Sequence, residues 1–329
     1  MNNKPLLKVE NISKHFHLQT SFIDKYFLKK MNTVKAVSNI SLDIKQGETL
    51  GLIGESGCGK STLGRVILRL HEPTHGKVYF ESENITALNQ LDLKSIRKKM
   101  QIIFQDPYAS LNPRMTIEEI VKLPLKIHES LSRKEMNQRV VDIIEKVGLK
   151  PQYLKRYPHQ FSGGQRQRIG IARALILQPK FVVCDEPVSA LDVSIQAQII
   201  QLMAQLKEEL SLTFLFISHD ISVVAYLSDR IAVMYLGELV ELANVGELLK
   251  NPRHPYTRIL LDAIPQVDQV GVHKRVVLKG DIPSPLDPPK GCKFHTRCPD
   301  AVEKCSAEIP ESREYSAGHW VSCHLFHNN

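Results

Sequence analysis

The chain has 329 residues, 43% hydrophobic and 24% charged, a composition typical of a folded globular protein that excludes a disordered or low-complexity chain. Because this length exceeds the size at which one hydrophobic core usually stops growing, we expect two or three lobes. The 43 basic residues outnumber the 35 acidic ones, and the excess falls in residues 1–200. This excess of basic residues indicates a nucleic acid, an anionic membrane surface or a polyphosphate as ligand. Charge alone does not distinguish among these three ligands.

No part of the sequence resembles a membrane span or a signal peptide. Apolar stretches stay far below the roughly 18 to 20 residues that a membrane-spanning helix needs. The first ten residues, MNNKPLLKVE, lack the apolar run of a secretory signal. We therefore expect a cytosolic protein that does not cross a membrane and whose six cysteines are not paired as disulfides.

Residues 17–35 look like an insertion in which apolar and charged side chains alternate. The apolar members are Phe22, Ile23, Tyr26, Phe27 and Met31, interleaved with one aspartate and three lysines. The pattern predicts an amphipathic helix that docks on a partner or near a membrane, with a solvated hairpin as the alternative.

Residues 49–70 read as an apolar strand, a glycine-rich turn and an amphipathic helix. The turn contains Gly54-x-x-x-x-Gly59-Lys60-Ser61, the spacing of a phosphate-binding loop. Its glycines let successive backbone N–H groups face one anion, Lys60 reaches the terminal phosphates and the Ser61 hydroxyl can ligate Mg²⁺. The predicted ATP-contacting residues of the loop are Gly54, Glu55, Ser56, Gly57, Cys58, Gly59, Lys60, Ser61 and Thr62.

Cys58 lies inside this loop, beside Lys60 and the start of a helix. Both features lower the pKa of a thiol. We therefore expect a reactive cysteine that bound ATP protects; the alternative is that position 58 only needs a small side chain.

A second acidic motif follows the apolar strand at 181–186. Asp185 and Glu186 end this strand, at the edge where open α/β sheets bind their ligands. Asp185 is the candidate for holding Mg²⁺, directly or through water, and Glu186 for polarising the attacking water.

Between these motifs, residues 107–171 show helical rather than strand patterns. Near their end, the segment Ser162-Gly163-Gly164-Gln165 precedes an apolar helical pattern and thus lies at a helix N-terminus, a second anion site.

The order of these motifs resembles that of ATP-binding cassette ATPases. In that family, the signature segment of one subunit closes over the nucleotide of its partner, which is the role the resemblance implies for Ser162, Gly163, Gly164 and Gln165. It further implies that Gln105 senses Mg²⁺ and the attacking water, that Asp192 lies at the dimer interface and that His219 contacts the γ-phosphate. Phe16 is the candidate for stacking on adenine, and a strand aromatic packed in the core is the alternative.

The resemblance implies an α/β fold: a P-loop NTPase core of the ABC type with an antiparallel β subdomain, an inserted helical subdomain and a small C-terminal extension. We predict the core at 1–106 and 172–235, the helical subdomain at 107–171 and the extension at 236–329. A membrane permease is expected to dock beside Gln105, where Tyr108 to Pro113 form part of the contact or a simple turn.

The last 90 residues resemble the tail of ATPase subunits of bacterial oligopeptide, dipeptide and nickel importers. Four cysteines are spaced C-x5-C-x6-C-x17-C: Cys292, Cys298, Cys305 and Cys323. Clustered thiols in a reducing compartment indicate a soft metal. The resemblance favours a 4Fe–4S cluster, with Zn²⁺ second and free cysteines that fix a loop third.

We therefore expect an ATP- and Mg²⁺-dependent subunit that energises peptide import from the cytoplasmic face of the cell membrane. Its implied partners are a second ATPase subunit, preferably a different chain, two permease subunits and, indirectly, an extracytoplasmic peptide-binding protein. The rivals are an importer subunit for nickel or glutathione-like substrates and a soluble cassette ATPase of DNA repair or translation. The last is disfavoured because such proteins usually carry two cassettes or a long coiled coil, so we expect no nucleic-acid partner.

Overall fold

A computed structural model describes residues 4–17, 33–263 and 281–326 of the chain. Among these residues, no helix is long and apolar enough to span a membrane. Most of the predicted amphipathic insertion, residues 18–32, lies outside the described residues.

The strands of the described residues, in chain order, are β1 Leu7–His17, β2 Thr33–Ile44, β3 Thr49–Ile53, β4 His75–Phe80, β5 Glu83–Asn84, β6 Met100–Ile103, β7 Phe181–Asp185, β8 Thr213–Ile217, β9 Arg230–Tyr235, β10 Glu238–Asn244, β11 Arg313–Ser316 and β12 His319–Val321. They form two sheets. One is antiparallel with strand order β2-β1-β4-β5, and the other is mixed with order β11-β12-β10-β9-β3-β8-β7-β6.

The α-helices of the same residues are α1 Lys60–Ile67, α2 Gln90–Lys99, α3 Pro107–Ser110, α4 Ile117–His128, α5 Arg133–Lys146, α6 Gly163–Leu175, α7 Val193–Leu210, α8 Ile221–Leu227, α9 Val245–Lys250, α10 Pro255–Asp262 and α11 Glu303–Ala307. Short 3₁₀ turns lie at Ile85–Ala87, Pro151–Tyr153, Pro158–Gln160 and His324–Phe326.

The middle of the larger sheet is a parallel block of β6, β7, β8, β3 and β9. Strands β3, β7 and β8 are buried along their whole length, as expected for parallel strands covered on both faces. All three end at one edge of the sheet. The loops after β3 and β7, which carry the predicted phosphate and acidic motifs, are therefore neighbours.

Two of the helices that follow β6 begin directly after an N-capping residue. Thr116 caps α4 and Ser132 caps α5, and each cap forms a reciprocal capping box with a glutamate three residues on. Buried apolar side chains of both helices join the same core as α6. This bundle carries the Ser162 segment next to the parallel sheet.

The C-terminal region completes the larger sheet rather than standing apart from it. Strand β10 pairs antiparallel with β9, and β12 pairs with β10. Phe294 and Tyr256 of this region are buried in the core shared with the parallel strands. The domain boundaries drawn from the sequence stay predictions, but the extension is packed against the strands that support the phosphate loop.

Candidate active site

The loop between β3 and α1 has the backbone shape of an anion cradle. Gly59 adopts φ +107°, and a Cβ there would lie 2.1 Å from the carbonyl oxygen of Ala36, so only glycine fits. Gly57 adopts φ +78° and faces open space. The loop thus curves at the start of a helix, the arrangement in which backbone N–H groups bind a phosphate.

Lys60 sits at the centre of this cradle. Its side chain is buried, and its ammonium donates hydrogen bonds to the carbonyl oxygens of Gly54, at 2.8 Å, and Glu55, at 3.0 Å. These two bonds hold the cation against the loop, where its charge would attract a bound polyphosphate.

Ser61 and Asp185 are in direct contact. The Ser61 hydroxyl donates to Asp185 Oδ1 at 2.6 Å, and Asp185 is almost completely buried at the end of β7. Arg65 approaches the other carboxylate oxygen at 3.5 Å. A hydroxyl and a carboxylate oxygen side by side beneath a phosphate loop are hard ligands of the kind that Mg²⁺ takes, so this pair fits the predicted ion.

Three side chains predicted to act in hydrolysis converge on one atom. Gln105 Nε2 donates to Glu186 Oε2 at 3.1 Å, and His219 Nδ1 lies 3.3 Å from the same oxygen. Glu186 itself has φ +47°, in the left-handed region that favours glycine. The left-handed backbone and the two side-chain contacts hold this carboxylate beside the phosphate loop.

A cavity of about 420 Å³ is lined by some of these groups, although Asp185 and His219 are not among its lining residues. Residues 56–62, Gln105, Glu186 and Phe16 line it. Phe16 is partly exposed, packs edge-on against His71 at 5.6 Å between ring centroids and lies opposite Val34 on the neighbouring strand. Phe16 thus opens onto the cavity instead of being enclosed in the core, which favours the stacking role over its alternative.

Sequence reasoning missed several residues at this cavity. They are Val34, Lys35, Ala36, Leu236, Gly237 and Pro285. None belongs to a motif of the phosphate loop, and nothing local in the sequence marks them. They reach the cavity because β2, the turn after β9 and a C-terminal segment meet the loop in space.

The Ser162 segment forms the N-terminus of α6 and does not line the cavity. Ser162 Oγ accepts from the N–H of Gln165, and Gln165 Oε1 accepts from the N–H of Ser162, which makes a closed capping box. A Cβ at Gly164 would lie 2.4 Å from Ile195 Cγ2, so glycine lets α6 approach α7. Gly163 and its neighbours therefore form a separate helix N-terminus on the same chain.

Asp192 precedes α7 and is exposed. Its side chain makes no capping hydrogen bond, whereas its backbone carbonyl accepts from the N–H groups of Ile195 and Gln196. The Asp192 carboxylate therefore makes no capping hydrogen bond to the N-terminus of α7.

The sequence predicted a lowered pKa for the Cys58 thiol, and this prediction is wrong. The thiol is buried, and burial raises the pKa of Cys58 above its ordinary value, although the neighbouring Lys60 opposes that rise. The desolvation of a thiolate outweighs the attraction of one cation 3.8 Å from the sulfur.

The four C-terminal cysteines gather in one region. The N–H of Cys292 donates to the carbonyl of Cys305 at 2.8 Å. Burial, with neighbouring thiols adding to it, raises the pKa of Cys323 to about 12, and burial raises that of Cys292 to about 11. In residues 4–17, 33–263 and 281–326, no three cysteine, histidine or acidic side chains are arranged to hold one metal ion. The donor set suits a soft metal, but the thiols do not stand at ligand positions.

Family models match two parts of the chain. The model for "ABC transporter" matches residues 37–189, and the model for "Oligopeptide/dipeptide transporter, C-terminal region" matches residues 240–305. The chain is 52% identical to "Oligopeptide transport ATP-binding protein AppF" of Bacillus subtilis strain 168, over 99% of this chain and 98% of the relative. This chain belongs to the ABC transporter ATPases.

Other relatives of this ATPase agree. It is 50% identical to "Putative oligopeptide transport ATP-binding protein YkfD" of the same bacterium, over 100% of this chain and 98% of the relative. A solved ATP-binding cassette, described as a dimeric post-hydrolysis state bound to ADP and Pi, matches with a TM-score of 0.64 and 32% identity, covering 73% of this chain and 98% of that one. The predicted α/β ABC-type fold and the ATPase activity, with its use of ATP and Mg²⁺, are confirmed.

Proposed function

We propose that this ATPase energises the import of oligopeptides through a separate membrane permease. The observation that carries the proposal is the match of residues 240–305 to the oligopeptide and dipeptide transporter C-terminal region. The identity to an oligopeptide transport ATP-binding protein over almost the whole chain supports it. This region lies outside the residues matched by the ABC transporter model. Its match therefore indicates the peptide transporters among the ABC transporter ATPases.

In the proposed mechanism, residues 56–62 of the loop, Lys60 among them, bind the phosphates of ATP while Phe16 stacks on adenine. Ser61, Asp185 and Gln105 would hold Mg²⁺, and the bound ion would supply positive charge to the phosphate oxygens. The contact of Ser61 with Asp185, at 2.6 Å, supports this ligand pair.

Glu186 is the proposed base for the attacking water. Its Oε2 is shared by Gln105 and His219, which fix the direction of the carboxylate. His219, which is more exposed than Glu186, is proposed to contact the γ-phosphate, and its contact with Glu186 Oε2 supports this role. The water would be activated between this carboxylate and the phosphate bound by the loop.

The residues Ser162, Gly163, Gly164 and Gln165, with Asp192, are proposed to act on the nucleotide of a second cassette. Their position away from the cavity of their own chain supports this assignment. An N-terminus of a 13-residue helix suits a phosphate from a partner. We propose a heterodimer with a related ATPase chain, because importers of this kind often pair two different ATPases.

The assembly would lie on the cytoplasmic face of the cell membrane, with two permease subunits and an extracytoplasmic peptide-binding protein as further members and no nucleic acid. Tyr108, which is 66% exposed beside the Gln105 loop, is a candidate permease contact. The Arg166 guanidinium lies 3.5 Å from the centroid of its ring and holds that ring in place.

Purification of the native membrane complex tests the proposal. We expect the chain to copurify with two permease subunits, and the associated binding protein to bind oligopeptides rather than nickel chelates or glutathione. A complex that binds and imports only nickel chelates would contradict peptide import while leaving the ATPase intact.

We also propose a metal centre at Cys292, Cys298, Cys305 and Cys323, with a 4Fe–4S cluster as first choice and Zn²⁺ as second. The gathering of four thiols supports it, and closure onto a metal would require the side chains to shift. Iron and acid-labile sulfide assays on anaerobically purified protein should give about four of each per chain for such a cluster. Zinc alone would contradict the cluster, and absence of both metals would favour free thiols.

A further inference from the structure

Glu55, in the phosphate loop, has every one of its polar groups bound by the protein. Its carbonyl oxygen accepts from Lys60 Nζ at 3.0 Å. Its N–H donates to the hydroxyl of Tyr256 at 2.8 Å, and its carboxylate receives two hydrogen bonds from Arg297, at 2.7 and 2.9 Å. Two of these three partners come from the C-terminal extension, 201 and 242 residues further along the chain.

Arg297 is built into this position. Its side chain is 5% exposed, and the Glu55 side chain is 18% exposed, so the pair is largely shielded from water. Arg297 also donates to the Tyr235 hydroxyl at 3.3 Å. A two-pronged bond from a planar guanidinium fixes both the distance and the orientation of a carboxylate, which a lysine cannot do.

An aromatic cluster supports both contacts. The rings of Tyr235, Tyr256 and Phe294 lie 4.8 to 5.3 Å apart, and all three are among the largest fully buried side chains of the core. Lys293 adds a second tie from the same segment, because its ammonium donates to the carbonyl of Leu236 at 2.7 Å. The turn that carries Leu236 borders the nucleotide cavity.

We propose that Arg297 and Tyr256 are positioning residues for ATP binding, which hold the phosphate loop in its binding shape through Glu55. The extension is then a structural part of the nucleotide site. Glu55 acts through these contacts instead of by touching the phosphates. The proposal rests on the ATPase activity and not on the transported substrate.

The physical basis is preorganisation. The loop contains three glycines with positive φ, residues with a large choice of backbone conformations. A loop that must be reordered on binding loses affinity by the free energy of that reordering. Since these contacts do not involve the side chains assigned to the chemical step, their loss should weaken nucleotide binding more than it slows that step.

The test measures the dissociation constant of Mg-ADP by calorimetry on the full-length chain, together with KM and kcat for ATP in the assembled ATPase. We expect Arg297→Met to raise the dissociation constant and KM about tenfold, the size of one lost charged hydrogen-bond pair, while kcat stays within about twofold. Arg297→Lys should recover only part of the affinity. Arg313→Met, which removes an exposed arginine of the outermost strand, should leave all three values unchanged.

A double-mutant cycle separates the contact from general destabilisation. Because Glu55→Gln removes the charge that Arg297 binds, adding Arg297→Met should cost little more than either change alone. Tyr256→Phe keeps the aromatic cluster and removes only the hydroxyl, so it serves if the arginine variants fail to fold; it should raise the dissociation constant severalfold. Wild-type affinity in folded Arg297→Met, or in Tyr256→Phe if Arg297→Met does not fold, would overturn the proposal, as would full additivity in the cycle.

Discussion

Glu186 Oε2 is shared by Gln105 Nε2 and His219 Nδ1, at 3.1 and 3.3 Å. These three residues come from the ends of three neighbouring strands, β6, β7 and β8. The carboxylate is therefore held in one direction by two neighbours, and its charge is the feature that the proposed role as base requires.

Replacing that charge tests the assignment. Glu186→Gln preserves the shape of the side chain, so we expect Mg-ATP binding to be retained while kcat falls at least about 10²-fold, as for the loss of a general base. ATP hydrolysis by the assembled transporter and nucleotide affinity are measured in parallel. Glu208→Gln, at an exposed site of α7, is the matched control. Near-normal turnover in Glu186→Gln would remove this residue from the role of base.

Cys58 offers a second test at this scale. Because burial raises its pKa, we expect the thiol to react with iodoacetamide more slowly than free cysteine at pH 7, and the rate to rise as pH increases toward the raised pKa. Mass spectrometry of the modified peptide follows the rate, with the urea-unfolded chain as reference. If Cys58 reacts with iodoacetamide faster than free cysteine at pH 7, the reactive thiol expected from the sequence is correct and the effect of burial is contradicted.

At the scale of elements, the approach of α6 to α7 depends on Gly164. A Cβ there would lie 2.4 Å from Ile195 Cγ2. We expect Gly164→Ala to destabilise the chain by about 1–3 kcal/mol, as overpacking does. Chemical denaturation measures the change, and Ile195→Ala in the same chain should recover part of it by removing the clashing methyl group.

Gly170, six residues further along α6, is the matched control. A Cβ at this position would meet no atom within 4 Å. Gly170→Ala should therefore stabilise the helix, by about 0.5–1 kcal/mol. Equal effects of the two substitutions would mean that helix propensity, and not the contact with α7, decides the role of Gly164.

The elements that carry the site were predictable where chemistry follows a strand. Asp185, Glu186 and Lys60 are marked by apolar strands and glycine spacing, and parallel strands bring their carboxyl ends together. The partners of Glu55 could not be predicted from the sequence. Tyr256 stands in a segment recognised only by resemblance, Arg297 is one arginine between two cysteines, and no local pattern pairs either with a loop more than 200 residues away. The burial of Cys58 likewise depends on long-range packing.

At the scale of the whole molecule, stability should depend on one buried histidine. His254 caps α10 by accepting from the N–H of Tyr256 through Nδ1, and burial lowers the pKa of His254 to about 4. The folded chain therefore favours the neutral form of the His254 imidazole. Its stabilising effect is therefore complete above the ordinary histidine pKa of about 6.5 and is lost as pH falls from there toward about 4.

We expect the free energy of unfolding to fall over this range by about 3 kcal/mol through His254 alone. His254→Asn keeps a capping acceptor that does not titrate, so it should flatten the dependence between pH 6.5 and 4. Denaturant unfolding at several pH values measures both chains. His159→Asn, at an exposed site, should keep the wild-type slope. The same slope in His254→Asn would assign the acid sensitivity to other groups.

The distance along the chain between Glu55 and Arg297 has a consequence for biosynthesis. The ribosome adds the 242 residues that follow Glu55, up to and including Arg297, in roughly ten to fifty seconds. During that interval the nascent cassette has its phosphate loop and Lys60 but not the arginine that holds the loop. On the proposed role of Arg297, full affinity for ATP would then be reached only when synthesis is almost finished.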